Sequence, residues 1–391
     1  MRVLVTNAES TGLYVTRSLG MRGMDVVAAS HLARAMAFHS RYCSERAYYP
    51  NPKGDESKIV DKLISILESK KIGVFFPLGE EIMMAVSRNM ERFRNSGSAL
   101  IPFPDHDTMD KTDDKSRTIT EARKIGIEVP RTYLAGDGSL EIVKKEFEFP
   151  VVIKPHRGEG SAGHSIISSP KDLERRFRET VAAHGPSMIQ EFVWGDKYSS
   201  TFVFDENSKP VRACVFKMVR QFPLTGGPML FSQTVKHDES MDLGINIFRH
   251  LGWKGIGQTE IIKDSRDGRL KFIEINPRFF GSTPVTMAAG VDFAWTLHRM
   301  ALGERVSPDL TYRVGVKARL LFPNDVRHLF SVLTGGPRVR GFRNPSKMKT
   351  IKDFLRFHEK DLHYYIFTRD DPMPAIFNAA NFIYKNLPWK H

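Results

Sequence analysis

Cysteine is nearly missing from this chain: 391 residues hold only two, Cys43 and Cys214. A scaffold stapled by disulfides is excluded, and a reducing, cytoplasmic setting fits. No apolar run approaches the roughly 20 residues that span a bilayer. The opening MRVLVTN reads as a strand and not as a secretory leader. Two nucleotide fingerprints are also missing. The turn TNAESTG between the first strand and helix has one glycine, Gly12, so a backbone cannot approach a dinucleotide pyrophosphate there, and NAD binding is rejected. No Gly-Lys-Ser/Thr opens a helix, so there is no Walker A loop. No Ser-His-Asp or Cys-His arrangement stands out, which leaves no candidate for covalent nucleophilic catalysis. Acidic residues are outnumbered, 45 Asp+Glu against 58 Lys+Arg, for a formal net charge of +13.

What is present is long enough for two to three domains. Val3 to Val5, a helix from Gly12 to Met21 and Val26 to Ala29 make a βαβ opening. Asp55 to Ser69 has an apolar stripe of Ile59, Leu63, Ile66 and Leu67 at helical spacing. The strand Ile72 to Pro77 is followed by Glu80 and Glu81, either of which could touch a substrate amine. The blander role is to favour a helix N-terminus. Asp113 or Asp114 caps a helix running to Lys124, ended by Gly126.

The strongest phosphate signal is FPVVIKPHRGEGSAGHSII. Val151 to Ile153 is a strand, Lys154 projects from its end, and the loop that follows holds Gly158, Gly160 and Gly163 with Ser161 among them. Such a loop lets backbone N–H groups approach phosphate oxygens, while Lys154 adds a point charge.

The strongest metal signal is GIGQTEIIKDSRDGRLKFIEINPRFFGS. Two strands flank a turn marked by Asp267-Gly268. Side chains alternate on a strand, so Glu274 and Asn276 share a face. Antiparallel pairing brings Glu260 beside them. Two carboxylates and an amide oxygen suit magnesium, which keeps waters and phosphates as its other ligands. Arg278 would add positive charge next to them. The competing reading is an edge hairpin with a solvated polar face.

The strand Glu274-Ile275-Asn276-Pro277-Arg278 resembles the magnesium strand of the ATP-grasp superfamily, in particular carbamoyl-phosphate synthase large subunits and carboxylate–amine ligases. The resemblance runs from Met1 to about Gly303 and keeps several motifs in family order. It implies an α/β protein: a Rossmann-like domain (1–110), the small ATP-grasp lobe with its Gly-rich lid (111–188), the large lobe with the metal site (189–310), and a basic C-terminal extension (311–391). It implies that Glu260, Glu274 and Asn276 hold Mg²⁺, or Mn²⁺ in its place. Lys115 and Lys154 would reach the ATP phosphates, and Arg157, Gly158, Gly160, Ser161 and Gly163 would close over them. Gln190, Glu191, Phe192 and Val193 match the adenine hinge, with backbone groups of Glu191 and Val193 as adenine partners. The family often has Glu where this chain has Lys197, so Asp196, one residue earlier, is the carboxylate chosen for the ribose. Arg220 is the candidate for the substrate carboxylate, because its planar fork matches two oxygens.

The function so implied is an ATP-dependent carboxylate–amine ligase working through an acyl phosphate, with Arg278, Lys154 and Arg220 as the reactive-centre cations. Small-molecule carboxylate and amine substrates are expected. A homodimer is compatible with superfamily habit, and no nucleic acid is expected. Carboxyphosphate chemistry is the neighbouring alternative, and a silent nucleotide-binding protein the more distant one. Residues 311–391 hold fifteen Lys/Arg against six Asp/Glu. The bland reading is a solvated surface; the sharper one is peripheral contact with an anionic membrane. Val314 to Phe322 is expected to be a strand and His328 to Leu333 a helix. A final helix carries Ile376, Ala380, Ile383, Tyr384 and Leu387 near one face, packed on the core or a second subunit.

Overall fold

The computed structural model describes residues 1–134, 139–158 and 160–385. A short Val/Leu strand, β1 (Arg2–Val5), is buried on both faces. Val3 and Val5 point into one apolar cluster and Leu4 into another on the opposite side, as in a parallel sheet covered by helices on both faces. Its neighbours are β2 (Asp25–Ser30), β3 (Glu45–Tyr48), β4 (Val74–Phe76) and β5 (Ala99–Leu100), all parallel, in the order β3-β2-β1-β4-β5. The chain leaves β4 through Gly79, at φ +92°, and enters the helix Glu80–Arg88, which puts Glu80 just beyond the carboxyl end of that strand.

A four-stranded antiparallel sheet follows: β6 (Thr132–Tyr133), β7 (Val151–Pro155), β8 (Ser165–Ile167) and β9 (Ser187–Glu191), in the order β6-β9-β7-β8. The helix Pro170–His184 packs on it through buried Leu173. The Gly-rich loop is the link between β7 and β8.

The largest sheet has seven strands. They are β10 (Gly195–Phe204), β11 (Pro210–Gln221), β12 (Met229–Thr234), β13 (Gly255–Asp264), β14 (Leu270–Asn276), β15 (Lys317–Arg319) and β16 (Leu362–Tyr364). The order is β14-β13-β10-β11-β12-β15-β16, antiparallel except for the last pair. Gly195 begins β10 against the turn of the β13–β14 hairpin. A Cβ there would lie 1.8 Å from the Lys263 carbonyl oxygen, so only glycine permits this approach.

Residues 311–385, the described part of the C-terminal extension, are joined to the rest of the molecule. They supply β15 and β16 to the large sheet, and they return to the first domain. Asp371, buried, accepts hydrogen bonds from Arg17 Nε (2.9 Å), Ser40 Oγ (2.7 Å) and the Arg41 backbone N–H (2.9 Å). The helix Met373–Lys385 then lies on the turn Met36–His39, with Phe377 stacked on His39 at 3.7 Å. The expected strand over 314–322 is reduced to Lys317–Arg319, because a tight turn at Leu321–Asp325 carrying Pro323 ends it. The expected stripe on the last helix does not pack on the core of this chain. Ile376, Ala380, Ile383 and Tyr384 are exposed, while Pro374 is buried and Phe377, Asn378 and Phe382 contact other parts of the chain. That helix is apolar on most sides, so periodicity alone could not choose its face; Leu387 lies outside the described residues. The helix Lys115–Lys124, assigned to the small lobe, packs through Ala122 with Phe272 and Ile275 of β14. Among the described residues, no helix is long and apolar enough to cross a membrane.

Candidate active site

A cavity of about 460 Å³ separates the four-stranded sheet from the large one. Lys154 enters it from β7, Gly160, Ser161 and His164 from the glycine loop, and Glu260 and Glu274 from the hairpin opposite. Apolar side chains of Val152, Ile166, Val193, Met218, Ile262 and Ile273 line its other walls. Such a mixture of apolar walls and a few converging charges is the usual form of a small-molecule site.

The two glutamates are register partners on β13 and β14, so strand pairing sets them side by side. Burial, then the neighbouring Glu274 carboxylate, pushes the Glu260 carboxyl above its ordinary range, against the pull of Lys197 and Lys154. Two carboxylates held this way favour a cation between them. Asn276 pairs in register with Gln258; its Nδ2 donates to Gln258 Oε1 (3.0 Å) and Glu260 Oε1 (3.3 Å). Turning the amide over would present Oδ1 to the same carboxylate side. Among the described residues, no group of three or more His, Cys, Asp or Glu side chains is placed to hold a metal. Two carboxylates in register and one neighbouring amide are a donor set that fits a hard cation taking its remaining ligands from water or phosphate.

Three lysines face those acids. Lys115, the first residue of its helix behind the Asp114 cap, donates to the Gly158 carbonyl at 2.6 Å and lies 3.8 Å from Glu274. Lys154 donates to Gln190 Oε1 at 2.7 Å, and Gln190 Nε2 in turn donates to Thr132 Oγ1 at 3.0 Å. Burial brings the Lys154 ammonium down to about 8, with Lys197 and Lys115 adding to the fall and Glu274 and Glu260 opposing it. His164 is lowered to about 3 by burial and by the same three lysines, so it is neutral at pH 7. The cavity thus has a cationic phosphate-sized end and a paired acidic edge.

Residues 114–308 match the family described as "Carbamoyl-phosphate synthase L chain, ATP binding domain". The chain belongs to the ATP-grasp superfamily. It is 26% identical over 334 residues to the 2-oxoglutarate carboxylase small subunit of Hydrogenobacter thermophilus, spanning 78% of this chain and 67% of that one. A biotin carboxylase from Campylobacter jejuni, solved as a complex with an ATP analogue, shares the fold at TM-score 0.67 and 18% identity. That match covers 81% of this chain and 74% of the other. An L-amino acid ligase from Bacillus licheniformis shares it at TM-score 0.61 and 15% identity, over 77% and 74%. The chain spans only 43% of the methylcrotonoyl-CoA carboxylase alpha subunit of Arabidopsis thaliana, which it also matches. The superfamily so defined is one of ATP-dependent carboxylases and ligases.

Within this ATP-grasp cavity several residues sit elsewhere than expected. Arg220 is corrected: its fork grips Asp325 with two bonds of 2.9 Å, and it stacks on Phe231 at 4.5 Å, away from the cavity walls. Asp196 is corrected as well. Adjacent residues on β10 point to opposite faces, so Lys197 lines the cavity while Asp196, 56% exposed, pairs with Lys217 at 2.7 Å. Arg157 turns outward to Asp110 (2.7 Å) and Asp113 (2.8 Å). Gly158 offers its carbonyl to Lys115 and lies outside the lining. Gly163 serves packing: a Cβ there would stand 2.7 Å from Pro155 and 2.8 Å from His184. The Glu191 N–H is engaged by the Arg131 carbonyl at 2.8 Å, which removes it as an adenine donor. Its side chain instead joins Arg266 (3.0 Å) and Lys271 (2.8 Å) on the hairpin. Gln190, Glu191, Phe192 and Val193 all line the cavity.

Arg278 reaches a different neighbourhood. Its Nη2 donates to Asn276 Oδ1 at 3.4 Å, and its Nε lies 3.6 Å from Glu80 of the first domain. Glu80 thus faces the metal strand, whereas Glu81 stays near Lys53 at 4.0 Å. Sequence reasoning missed Ser199, His164, Thr225 and Val339, all of which line the cavity. His164 closes the glycine motif and was within reach. Val339 comes from the basic loop 334–346, and nothing local marks it.

Proposed function

We propose that this protein is an ATP-dependent carboxylate–amine ligase that uses Mg²⁺. The observation that carries the reading is the acid pair Glu260–Glu274 facing Lys154 and Lys115 across a cavity roofed by the glycine loop. A metal ion held by Glu260, Glu274 and the turned Asn276 amide would supply charge neutralisation for phosphoryl transfer. Lys154 and Lys115 hold the triphosphate by charge. Val152, Ile262 and Ile273 offer apolar faces to the base, and the Val193 backbone its polar edge. In this reading the first sheet is a Rossmann-like substrate domain, and Glu80 and Arg278 mark its border with the large lobe.

A carboxylate oxygen of the substrate attacks the γ-phosphorus, and the bond to the bridging oxygen of ADP breaks. Arg278 offsets the charge on the resulting acyl phosphate. An amine then attacks the carbonyl carbon, phosphate leaves and the amine loses its proton. The roof formed by Gly160 and Ser161 shields the acyl phosphate from water.

Carboxyphosphate formation from bicarbonate is the second reading, because the carboxylases named above share the fold. Release of ADP would be measured with bicarbonate alone and with pooled carboxylates and amines. ADP release that needs both a carboxylate and an amine supports the ligase. Release with bicarbonate alone supports the carboxyphosphate reading, and none under any condition removes both.

A further inference from the structure

The C-terminal segment holds a second cavity, about 470 Å³, whose lining shares no residue with that of the cavity between the lobes. Its walls are apolar: Leu320, Leu321, Phe322, Phe367, Ile376 and Ala379. Its size falls in the range of small-molecule sites, roughly 300–1,000 Å³. Phe367 and Ile376 are 47% and 55% exposed, so apolar surface is left open at its mouth. Two polar side chains of its wall are already engaged: Tyr364 donates to the Phe357 carbonyl at 2.8 Å and Asn378 to the Phe322 carbonyl at 3.4 Å.

Arg319, which also lines this cavity, is different. It is 1% exposed, stacked over Phe354 (4.8 Å) and Phe357 (5.3 Å). Its Nε donates to Asp325 at 2.5 Å and its Nη1 reaches the Arg356 carbonyl at 3.4 Å. Its Nη2 is buried with no hydrogen-bond partner among the described residues. A buried donor left this way costs about 1–3 kcal/mol, more when charged. Charge points the same way. Asp325 is shared by Arg319 and by the two-pronged Arg220, so two guanidiniums face one carboxylate. His328 beside them is lowered by burial and stays neutral at pH 7. The carboxylates of Glu359 and Asp353 are held by Lys317 (2.5 Å) and Arg356 (3.3 Å). One positive charge is therefore uncompensated at the edge of an apolar hole.

We propose that this cavity is a binding site for an amphipathic carboxylate or similar anion, its head on Arg319 Nη2 and its chain along Phe322, Phe367 and Ile376. The same chemistry is offered by a free acyl carboxylate and by a lipid of an anionic bilayer. The site stands apart from the ligase reading and does not depend on it.

The test uses the full chain titrated with decanoate, decanol and decylamine below micelle formation, followed by calorimetry and melting temperature. Decanoate should bind at one per chain and raise the melting temperature, while decylamine gives no shift. Ala379→Trp, which fills the hole from the exposed side of the last helix, should weaken decanoate at least tenfold and leave ADP affinity unchanged. Sedimentation with phosphatidylglycerol vesicles separates the sources. Capture that Ala379→Trp abolishes assigns a bilayer lipid, and decanoate binding without capture assigns a free carboxylate. Decanoate binding no better than decylamine, or binding unchanged in Ala379→Trp, overturns the proposal.

Discussion

Glu274 and Lys154 set the terms of the chemistry at the scale of single residues. Glu274→Gln keeps the shape of β14 but removes one of two charges that favour a cation. ADP formation should fall by about two to three orders of magnitude, the size of losing one electrostatic stabiliser, with an unchanged circular dichroism spectrum. Turnover within a few-fold of wild type in this variant would remove the metal assignment. Lys154 carries a positive charge below about pH 8 and loses it above. Metal-free ADP affinity, measured by calorimetry, should therefore weaken between pH 7 and pH 9. In Lys154→Arg the fall should move beyond that window, since guanidinium stays charged. Arg220→Met tests the correction made above. Asp325 would keep Arg319 but lose two bonds, so stability should drop by about 1–3 kcal/mol. The KM for substrate carboxylate should stay as it was, and a large rise would restore Arg220 to the substrate.

The hinge and the hairpin act together at the scale of elements. Asp264 at the end of β13 is fully buried. Burial would raise its carboxyl, but hydrogen bonds from Arg266 and Lys271 outweigh it and hold Asp264 far below the usual carboxylate range. The same two cations bind Glu191 at the end of β9, so the strand of one lobe is clamped to the hairpin of the other. A depressed folded-state value stabilises above the unfolded value of 3.8 and is lost as pH falls below it. Denaturant midpoints should fall as the pH drops from about 4 to about 2, and less steeply in Asp264→Asn; equal slopes would count against the clamp. This clamp was not legible from sequence. Asp267-Gly268 announced the turn and alternation announced Glu274 with Asn276, because both are local rules. The grip of Arg266 on Glu191 depends on how two lobes meet. Asp196 failed for a related reason: one residue along a strand reverses the face, and chemistry alone preferred the carboxylate. The β-α-β opening, the capped helix at Asp114 and the strand–lysine–loop order are all periodicity or capping, and were read close to their observed bounds.

Asp371 decides how the last eighty residues belong to the whole molecule. Its carboxylate, 1% exposed, joins the C-terminal segment to Arg17 and Ser40 of the first domain. Asp371→Ala leaves the Arg17 guanidinium buried with its carboxylate partner gone, at a cost of about 3–5 kcal/mol. Limited proteolysis should then cut faster near residues 366–373 than in wild type, and an unchanged cleavage rate would show that the tie is dispensable. Val339 extends this dependence to the cavity between the lobes: it forms part of its wall, while Phe342 beside it rests on Trp194 of the hinge at 5.9 Å. Translation runs from the N-terminal side, so the cavity has no complete boundary until Val339 has emerged. A nascent chain arrested before that point should fail to retain nucleotide, however well its earlier strands have paired.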